Sequence, residues 1–322
     1  MRAELVDAGD GYLPDYVKAG DVRGKVVLVR RGNGWPTYQI LEAAYRGATA
    51  LILYDYEDSL EEALKQDSMW YHEQLATVSI RKSDALGLLD ELKRGPIEIV
   101  LENRIDVADG TSQNVVGIIT GTELPDEWIV VSAHYDRWFQ AAADNSVGVA
   151  SMLELARAFS SNYTPRRSLM FVGVGAEEAG VEATESDWLA GSLAFVRAHP
   201  EVTRSMAFTF NIDLAGWTAD TGFVNGTHDA LPFLRQVVAD LGLADRLTIR
   251  GGMSSNLDAW NYGSVGGGAV GYLHWGDPFG GDSYTKYYHT QLDLYRPEDF
   301  QNLPHDLRVG ALSVNRIDQA TI

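Results

Sequence analysis

Residues 129–148, "IVVSAHYDRWFQAAADNSVG", decide the fold class of this chain. The stretch opens with an apolar run typical of a buried strand and ends where a helical spacing of apolar residues begins. Between the two lie His134, Asp136 and Asp144, three side chains that can bind metals or exchange protons. A buried strand that runs directly into such groups is typical of an α/β sheet, whose strand ends carry the binding site.

The alternation of apolar strands and amphipathic helices continues on both sides of this stretch. Apolar runs predict strands at 114–120, 127–133, 166–175 and 205–212, and periodicity predicts helices at about 146–159, 189–198 and 230–241. Strands without polar alternation are buried on both faces, which requires helices above and below the sheet. The pattern therefore predicts an α/β fold, a three-layer α/β/α sandwich around a mostly parallel mixed sheet.

The first hundred residues carry a smaller α/β pattern of their own. Strands and helices are predicted in "GKVVLVRRG" (24–32), "TYQILEAAYRGATALILYD" (37–55) and "ATVSIRKSDALGLLDELKRG" (76–95), and a closing strand in "PIEIVLENRIDV" (96–107). A turn-rich stretch, "ADGTSQN", follows. We therefore predict two domains, residues 1–107 and residues 108–322.

The composition excludes several classes of partner and site. A formal net charge of −19 disfavours nucleic acid, because the phosphate backbone would be repelled. The chain has no cysteine, so a zinc site would have to use histidine and carboxylate ligands. No apolar run reaches the roughly 18 residues that a membrane span needs.

The oligomeric state of the protein stays open, with a homodimer as one alternative.

Titratable side chains follow three of the predicted strands. His134 follows the second strand, Glu177 and Glu178 follow the third, and Asp213 follows the fourth. Because the carboxyl ends of parallel strands meet at one edge of a sheet, we expect these groups to lie together. Each alone is more often structural, as a turn former, a helix start or a surface residue.

Such a cluster of acids would repel itself unless a cation neutralised it. Asp144, at a predicted helix start, adds a further carboxylate, although it could equally be an N-cap. As ligands, the three carboxylates of Asp144, Glu178 and Asp213 together with two imidazoles exceed the three protein ligands of one catalytic zinc, which favours two Zn²⁺ ions sharing a carboxylate. Position along the chain leaves His274 and His289 as alternatives for the second imidazole.

Five motifs in order resemble the dizinc exopeptidase family that includes bacterial aminopeptidases, glutamate carboxypeptidase II and the transferrin receptor. The motifs are "SAHYDRW" (132–138), "AADNSVGVASMLELARAF" (142–159), "GVGAEEAG" (173–180), "FNIDLAG" (210–216) and "YYHTQLD" (287–293). Residues 24–55 likewise resemble a PA (protease-associated) domain. The resemblance implies the zinc exopeptidase fold, two Zn²⁺ per chain and a peptide substrate. Of the family's activities, it most favours that of an aminopeptidase, which removes N-terminal residues.

The resemblance also implies a metal ligand at each of five positions. His134 and Asp213 would hold one zinc ion, Glu178 and His289 the other, and Asp144 would bridge them. His289 is thereby preferred to His274 by analogy.

Three further residues receive roles from the same resemblance. Asp136 would orient His134 by accepting its other ring proton. Glu177 would be the general base for a dizinc-bound hydroxide and would return the proton to the leaving amine. Tyr288 would donate to the tetrahedral oxyanion, although packing alone accounts equally well for an aromatic residue in this segment.

The chain departs from the family at three places. Ala143 stands where the family usually has the first acid of Asp-Asp-Asn, and "SSNLDAW" (254–260) only partly matches the family's segment before the last strand. The chain also begins almost at the PA domain, so a shortened form and an incomplete chain both stay open. Residues 1–20 show no export signal. The compartment is therefore open, because the family's members are often secreted.

Other activities of the same family stay open at this stage. A carboxypeptidase would need a guanidinium for the substrate carboxylate, for which Arg137 is a candidate. A single-zinc glutaminyl cyclase would leave part of the ligand set unused. A receptor-like binding protein would be expected to have lost ligands, and all five positions are intact.

Overall fold

The computed structural model describes residues 1–31, 36–55, 75–104, 110–178, 188–266, 268–276 and 287–320. The chain divides into two compact units, Met1–Gly110 with His289–Leu292, and Thr111–Tyr288 with Asp293–Ile322. The predicted domain boundary near residue 107 lies outside the described residues. Within the described ranges, every helix is too short or too polar to cross a bilayer.

The first unit is built on a five-stranded sheet of order β4-β3-β2-β1-β5. Its elements are β1 (Arg2–Asp7), α1 (Leu13–Ala19), β2 (Val26–Arg31), α2 (Pro36–Tyr45), β3 (Ala50–Asp55), β4 (Ala76–Ile80), α3 (Lys82–Leu92) and β5 (Glu98–Val100). Strands β1 to β4 pair in parallel, and β5 runs antiparallel to β1.

Alternate residues of β2 face two different apolar clusters. Val27 and Val29 pack with residues of α1 and α2, whereas Val26 and Leu28 pack with Ala85 of α3. This two-sided burial explains the uninterrupted apolar run. The strand predicted over 96–107 is shorter than expected: within the described part it runs from Glu98 to Val100, antiparallel to β1 along the sheet edge, and its last backbone hydrogen bond there is from Leu101 N to Met1 O.

The second unit is built on a seven-stranded sheet of order β11-β10-β12-β9-β7-β8-β6. Its strands are β6 (Val115–Ile119), β7 (Leu124–His134), β8 (Arg167–Val174), β9 (Met206–Asn211), β10 (Gly222–Gly226), β11 (Leu247–Gly251) and β12 (Gly268–Trp275). Its helices are α4 (Val147–Asn162), α5 (Ala190–Ala198), α6 (Pro200–Thr203), α7 (Leu231–Asp240), α8 (Asp258–Gly263) and α9 (Leu303–Gln319).

The predicted three-layer sandwich is confirmed by the packing on β7. Ile129, Val131 and Ala133 belong to an apolar cluster with α4, α7 and α9, whereas Val130 belongs to a cluster with α5, α6 and α8. Four of the strand pairs are parallel, and β6–β8 and β10–β12 are antiparallel, so the sheet is mixed and mostly parallel as expected. The central strands β7 and β9 therefore end side by side.

The turn that follows β9 is fixed by a buried acid on α9. The carboxylate of Asp306 accepts hydrogen bonds from Gly216 N at 2.6 Å and from Trp275 Nε1 at 2.6 Å. Gly216 has a φ of 76°, and a β-carbon there would come within 2.9 Å of the Leu303 side chain, so a larger residue would not fit. Asp306 thus ties α9 and β12 to the chain that carries Asp213.

The contribution of Asp306 to the free energy of unfolding is expected to fall as the pH rises from about 4 to about 7. Burial raises the pKa of Asp306 from 3.8 to about 7, and the hydrogen bonds from Trp275 and Gly216 lower it only in part. The folded protein therefore keeps a proton on Asp306 that the unfolded chain has lost. This contribution is complete below the unfolded pKa and is lost as the pH rises through 7, by at most about 1.4 kcal/mol per pH unit.

Urea unfolding of the wild type and of Asp306→Asn measures this contribution. We expect the wild type's advantage in unfolding free energy over the variant to be larger at about pH 5 than at about pH 8. An advantage that is equal at both values would contradict the assignment of the titrating group to Asp306.

Candidate metal centre

The imidazole of His134 lies beside two carboxylates. His134 ends β7, its side chain is buried, and its Nε2 atom is 3.0 Å from Asp144 Oδ1 and 3.6 Å from Asp213 Oδ1. Asp213 follows β9, which pairs in parallel with β7, so the sheet itself delivers both residues to one place. One ligand atom from each of the three residues lies within 4.8 Å of the others, and the group could hold a metal ion.

Asp144 also belongs to a second group of the same kind. Its partners there are Glu178, which follows β8, and His289, and the ligand atoms again lie within 4.8 Å of one another. All three side chains are buried. The structure thus brings together the five residues that the sequence resemblance singles out, and places Asp144 in both groups.

Asp144 lies outside the helix that follows it. Helix α4 begins at Val147, and Asp144 has non-helical backbone angles, φ −122° and ψ 86°, within the irregular segment Ala142–Ser146. The residue that directly precedes α4 is Ser146. The N-cap alternative for Asp144 is therefore wrong, and its carboxylate faces His134.

A buried carboxylate that the sequence analysis missed supports this irregular segment. Asp293 accepts hydrogen bonds from Ala143 N at 2.8 Å and from Asp144 N at 3.3 Å. The Asn145 side chain donates to Ile212 O at 2.8 Å and ties the segment to the end of β9. Ala143 contributes its backbone N–H, so this support does not need an acidic side chain there. Asp293 closes the quoted motif "YYHTQLD", which was the one available signal.

Asp136 holds the two glutamates that follow β8. Its carboxylate oxygens accept the backbone N–H groups of Glu177 at 3.0 Å and Glu178 at 2.9 Å. His134 Nδ1 lies 3.1 Å from the Asp136 carbonyl oxygen and 3.6 Å from its Oδ1 atom. Both Asp136 oxygens therefore lie on the Nδ1 side of the His134 ring, with the backbone oxygen nearer than the carboxylate.

The electrostatics of the cluster are those of buried acids packed together. Burial raises the pKa of Glu177 well above 4.5; the His134 charge opposes this, and Asp213, Asp258 and Glu178 add to it. Burial lowers the pKa of His134, but the charges of Glu177 and Asp213 and hydrogen bonds to Asp136 and Asp144 outweigh it and leave that pKa well above 6.5. The centre therefore favours positive charge.

Asp258 is a further buried acid beside this centre. It opens α8 within the stretch "SSNLDAW", and its side chain is 1% exposed. Burial raises the pKa of Asp258 to about 7, against lowering by His134 and a hydrogen bond with Ser192, and Asp213 raises it further. In the sequence this stretch stands out only by its departure from the family pattern, because nothing local shows that an acid at a helix start will be buried.

The remaining candidates lie in different surroundings. His274 is fully buried in β12, with its ring 5.3 Å from that of Phe223, and lies outside both metal-binding groups. Tyr288 is half-buried against the apolar cluster of α4, α7 and α9. Arg137 is exposed and donates to Gln140 O and Ser146 Oγ at 3.4 and 3.3 Å.

The donor set fits zinc. Imidazole nitrogens and carboxylate oxygens are the zinc ligands available to a protein without cysteine. Uncompensated burial of several carboxylates is costly, and a divalent cation removes that cost. The raised pKa values of Glu177 and His134 report the same need for positive charge.

Two protein-family models match the chain. Residues 114–307 match the model of peptidase family M28, and residues 1–88 match the PA domain. The chain belongs to peptidase family M28. The M28 match contains all five residues of the two metal-binding groups, and it covers more than half of the chain.

The similarity to individual M28 relatives extends over most of the chain. Aminopeptidase YwaD of Bacillus subtilis (strain 168) is 28% identical over 305 residues, which is 91% of this chain. The alignment covers 62% of that relative, so the chain spans less than two thirds of its length.

Two solved structures share the fold. A zinc aminopeptidase from Bacillus subtilis has a TM-score of 0.72 at 24% identity, covering 100% of this chain and 77% of that one. A peptidase M28 precursor from Shewanella amazonensis has a TM-score of 0.75 at 19% identity, covering 100% of this chain and 75% of that one. At these identities the likeness shows the fold.

Proposed function

We propose that the chain is a zinc-dependent aminopeptidase that removes N-terminal residues from peptides. The observation that carries the proposal is that Asp144 belongs to two buried groups of metal-binding residues at once. Glu177, which is also buried, directly precedes Glu178 of the second group. The similarity to aminopeptidase YwaD supports the same activity.

The proposed centre holds two zinc ions. His134 and Asp213 would bind one, Glu178 and His289 the other, and Asp144 would bind both. Zinc at such a site supplies Lewis acidity, which lowers the pKa of water and polarises a carbonyl.

Glu177 is the proposed proton carrier. Its side chain is 3% exposed, and burial raises its pKa well above 4.5, so the buried carboxylate holds a proton more readily than an exposed one. It would take a proton from the attacking water and deliver it to the leaving amine nitrogen. The proposed roles of Asp136 and Tyr288 are to orient His134 and to donate a hydrogen bond to the oxyanion.

An assay on aminoacyl-p-nitroanilides tests the activity of the purified full chain. We expect hydrolysis of substrates with a free α-amine, none of their N-acetylated counterparts, loss of activity with a chelator, and recovery with about two equivalents of zinc. Preference for N-blocked peptides with a free carboxylate would instead support a carboxypeptidase. Zinc-loaded protein that hydrolyses neither class would overturn the proposal.

A further inference from the structure

Two indole N–H groups contact the adjacent glutamates of the centre. Trp138 Nε1 donates to Glu178 Oε2 at 3.1 Å, and Trp188 Nε1 donates to Glu177 Oε1 at 3.0 Å. Trp138 comes from the chain after β7 and Trp188 from the chain before α5. Two separate segments therefore supply the same kind of donor to neighbouring carboxylates.

The two glutamates are thus held at both ends. Their backbone N–H groups are bound by Asp136, and each carboxylate accepts one indole N–H. A hydrogen bond at one oxygen fixes the rotation of the carboxylate and so the direction of the other oxygen. An indole that only filled space would not need to direct its N–H group at a carboxylate, yet both Trp138 and Trp188 do so.

The chemistry of indole gives each contact a consequence. An indole nitrogen donates and cannot accept, so a proton gained by Glu177 cannot lie on the lone pair that faces Trp188. A proton exchanged by Glu177 therefore uses a lone pair that faces away from Trp188, on Oε2 or on the other side of Oε1. For Glu178, the bond from Trp138 sets the orientation in which its carboxylate meets a metal ion.

We propose that Trp138 and Trp188 are positioning residues with divided tasks. Trp138 orients Glu178 as a zinc ligand, and Trp188 orients Glu177 for proton transfer. The second task rests on the proposed aminopeptidase function, whereas the first rests on metal binding alone.

Zinc affinity tests the task of Trp138. In competition with a chromophoric chelator, we expect the purified full chain carrying Trp138→Phe to bind zinc about 10–100 times more weakly than the wild type. Trp128→Phe is the matched control, because Trp128 lies in β7 six residues before His134, about 20 Å away along the strand. Unchanged zinc affinity in Trp138→Phe would overturn this assignment.

Turnover tests the task of Trp188. We expect Trp188→Phe to lower kcat about tenfold or more, with zinc affinity and KM close to those of the wild type. A fall in zinc affinity, or an unchanged kcat, would overturn the assignment. If the wild type hydrolyses none of the anilides, the proposed function has failed and so has the task of Trp188, whereas the zinc affinity of Trp138→Phe still decides the other task.

A second replacement separates the N–H group from the ring. If either phenylalanine variant fails to fold, 3-benzothienylalanine at the same position keeps the bicyclic shape and lacks the N–H donor. The same losses of zinc affinity or of kcat are expected from it. Wild-type behaviour of the benzothienyl protein would show that the indole only packs.

Discussion

Asp144→Asn is expected to lower zinc content to about one ion per chain or less and to reduce kcat/KM by about a thousandfold or more. Asp144 belongs to both metal-binding groups, so one substitution weakens both. The asparagine has nearly the same shape, and the bond from the Asp144 backbone N–H to Asp293 does not involve the side chain. The loss would therefore come from the missing negative charge. Elemental analysis and the anilide assay on the same preparation measure the two effects.

The control for this substitution is Asp229→Asn, an exposed aspartate in the same unit. It removes one negative charge from the net charge of the chain, as Asp144→Asn does, and should leave zinc content and activity unchanged. Two zinc ions retained in folded Asp144→Asn would refute the shared ligand. Equal losses in both variants would show that net charge, and not the centre, is responsible.

Glu177→Gln is expected to reduce kcat by about 10²–10⁴-fold while zinc content and KM stay near those of the wild type. Glutamine keeps an oxygen that can accept the N–H of Trp188, and the backbone bond to Asp136 is unaffected. It cannot gain a proton at neutral pH, so the transfer from water to the leaving amine loses its carrier. Steady-state kinetics on zinc-replete protein measure the effect.

The neighbouring residue provides the matched comparison. Glu178→Gln changes the adjacent side chain in the same way, yet it should weaken zinc binding, because Glu178 belongs to a metal-binding group. Glu177→Gln should therefore lose activity while it retains zinc, whereas Glu178→Gln should lose activity because it binds zinc more weakly. Activity of Glu177→Gln within about threefold of the wild type would refute the general-base role.

Much of the centre could be predicted because it lies where strands end. His134 follows apolar residues of β7, and Asp213 follows those of β9, so the edge at which they meet is implied by the strand pattern alone. Glu177 and Glu178 follow β8 in the same way. His289 was different, since its segment has no periodic pattern, and only the family resemblance preferred it to His274.

The supporting residues could not be predicted, because their partners are distant in the chain. Asp293 binds backbone groups about 150 residues away, and Asp306 joins Gly216 to Trp275. Trp188 and Glu177 are 11 residues apart, a separation with no fixed geometry outside a regular element. Likewise, the alternating pattern of 96–107 is typical of a longer strand than the edge pairing at Glu98–Val100 provides.

The sequence by itself determined the layers of the fold and the chemical types gathered at the strand ends, because hydrophobic periodicity and strand direction are local properties. The tertiary structure alone decided that Asp136 binds the backbone N–H groups of two glutamates, that Asp293 supports the segment carrying Asp144, and that two indoles reach their carboxylates. Hydrogen bonds and electrostatic attraction act over a few ångströms, and only the folded chain brings such distant residues that close.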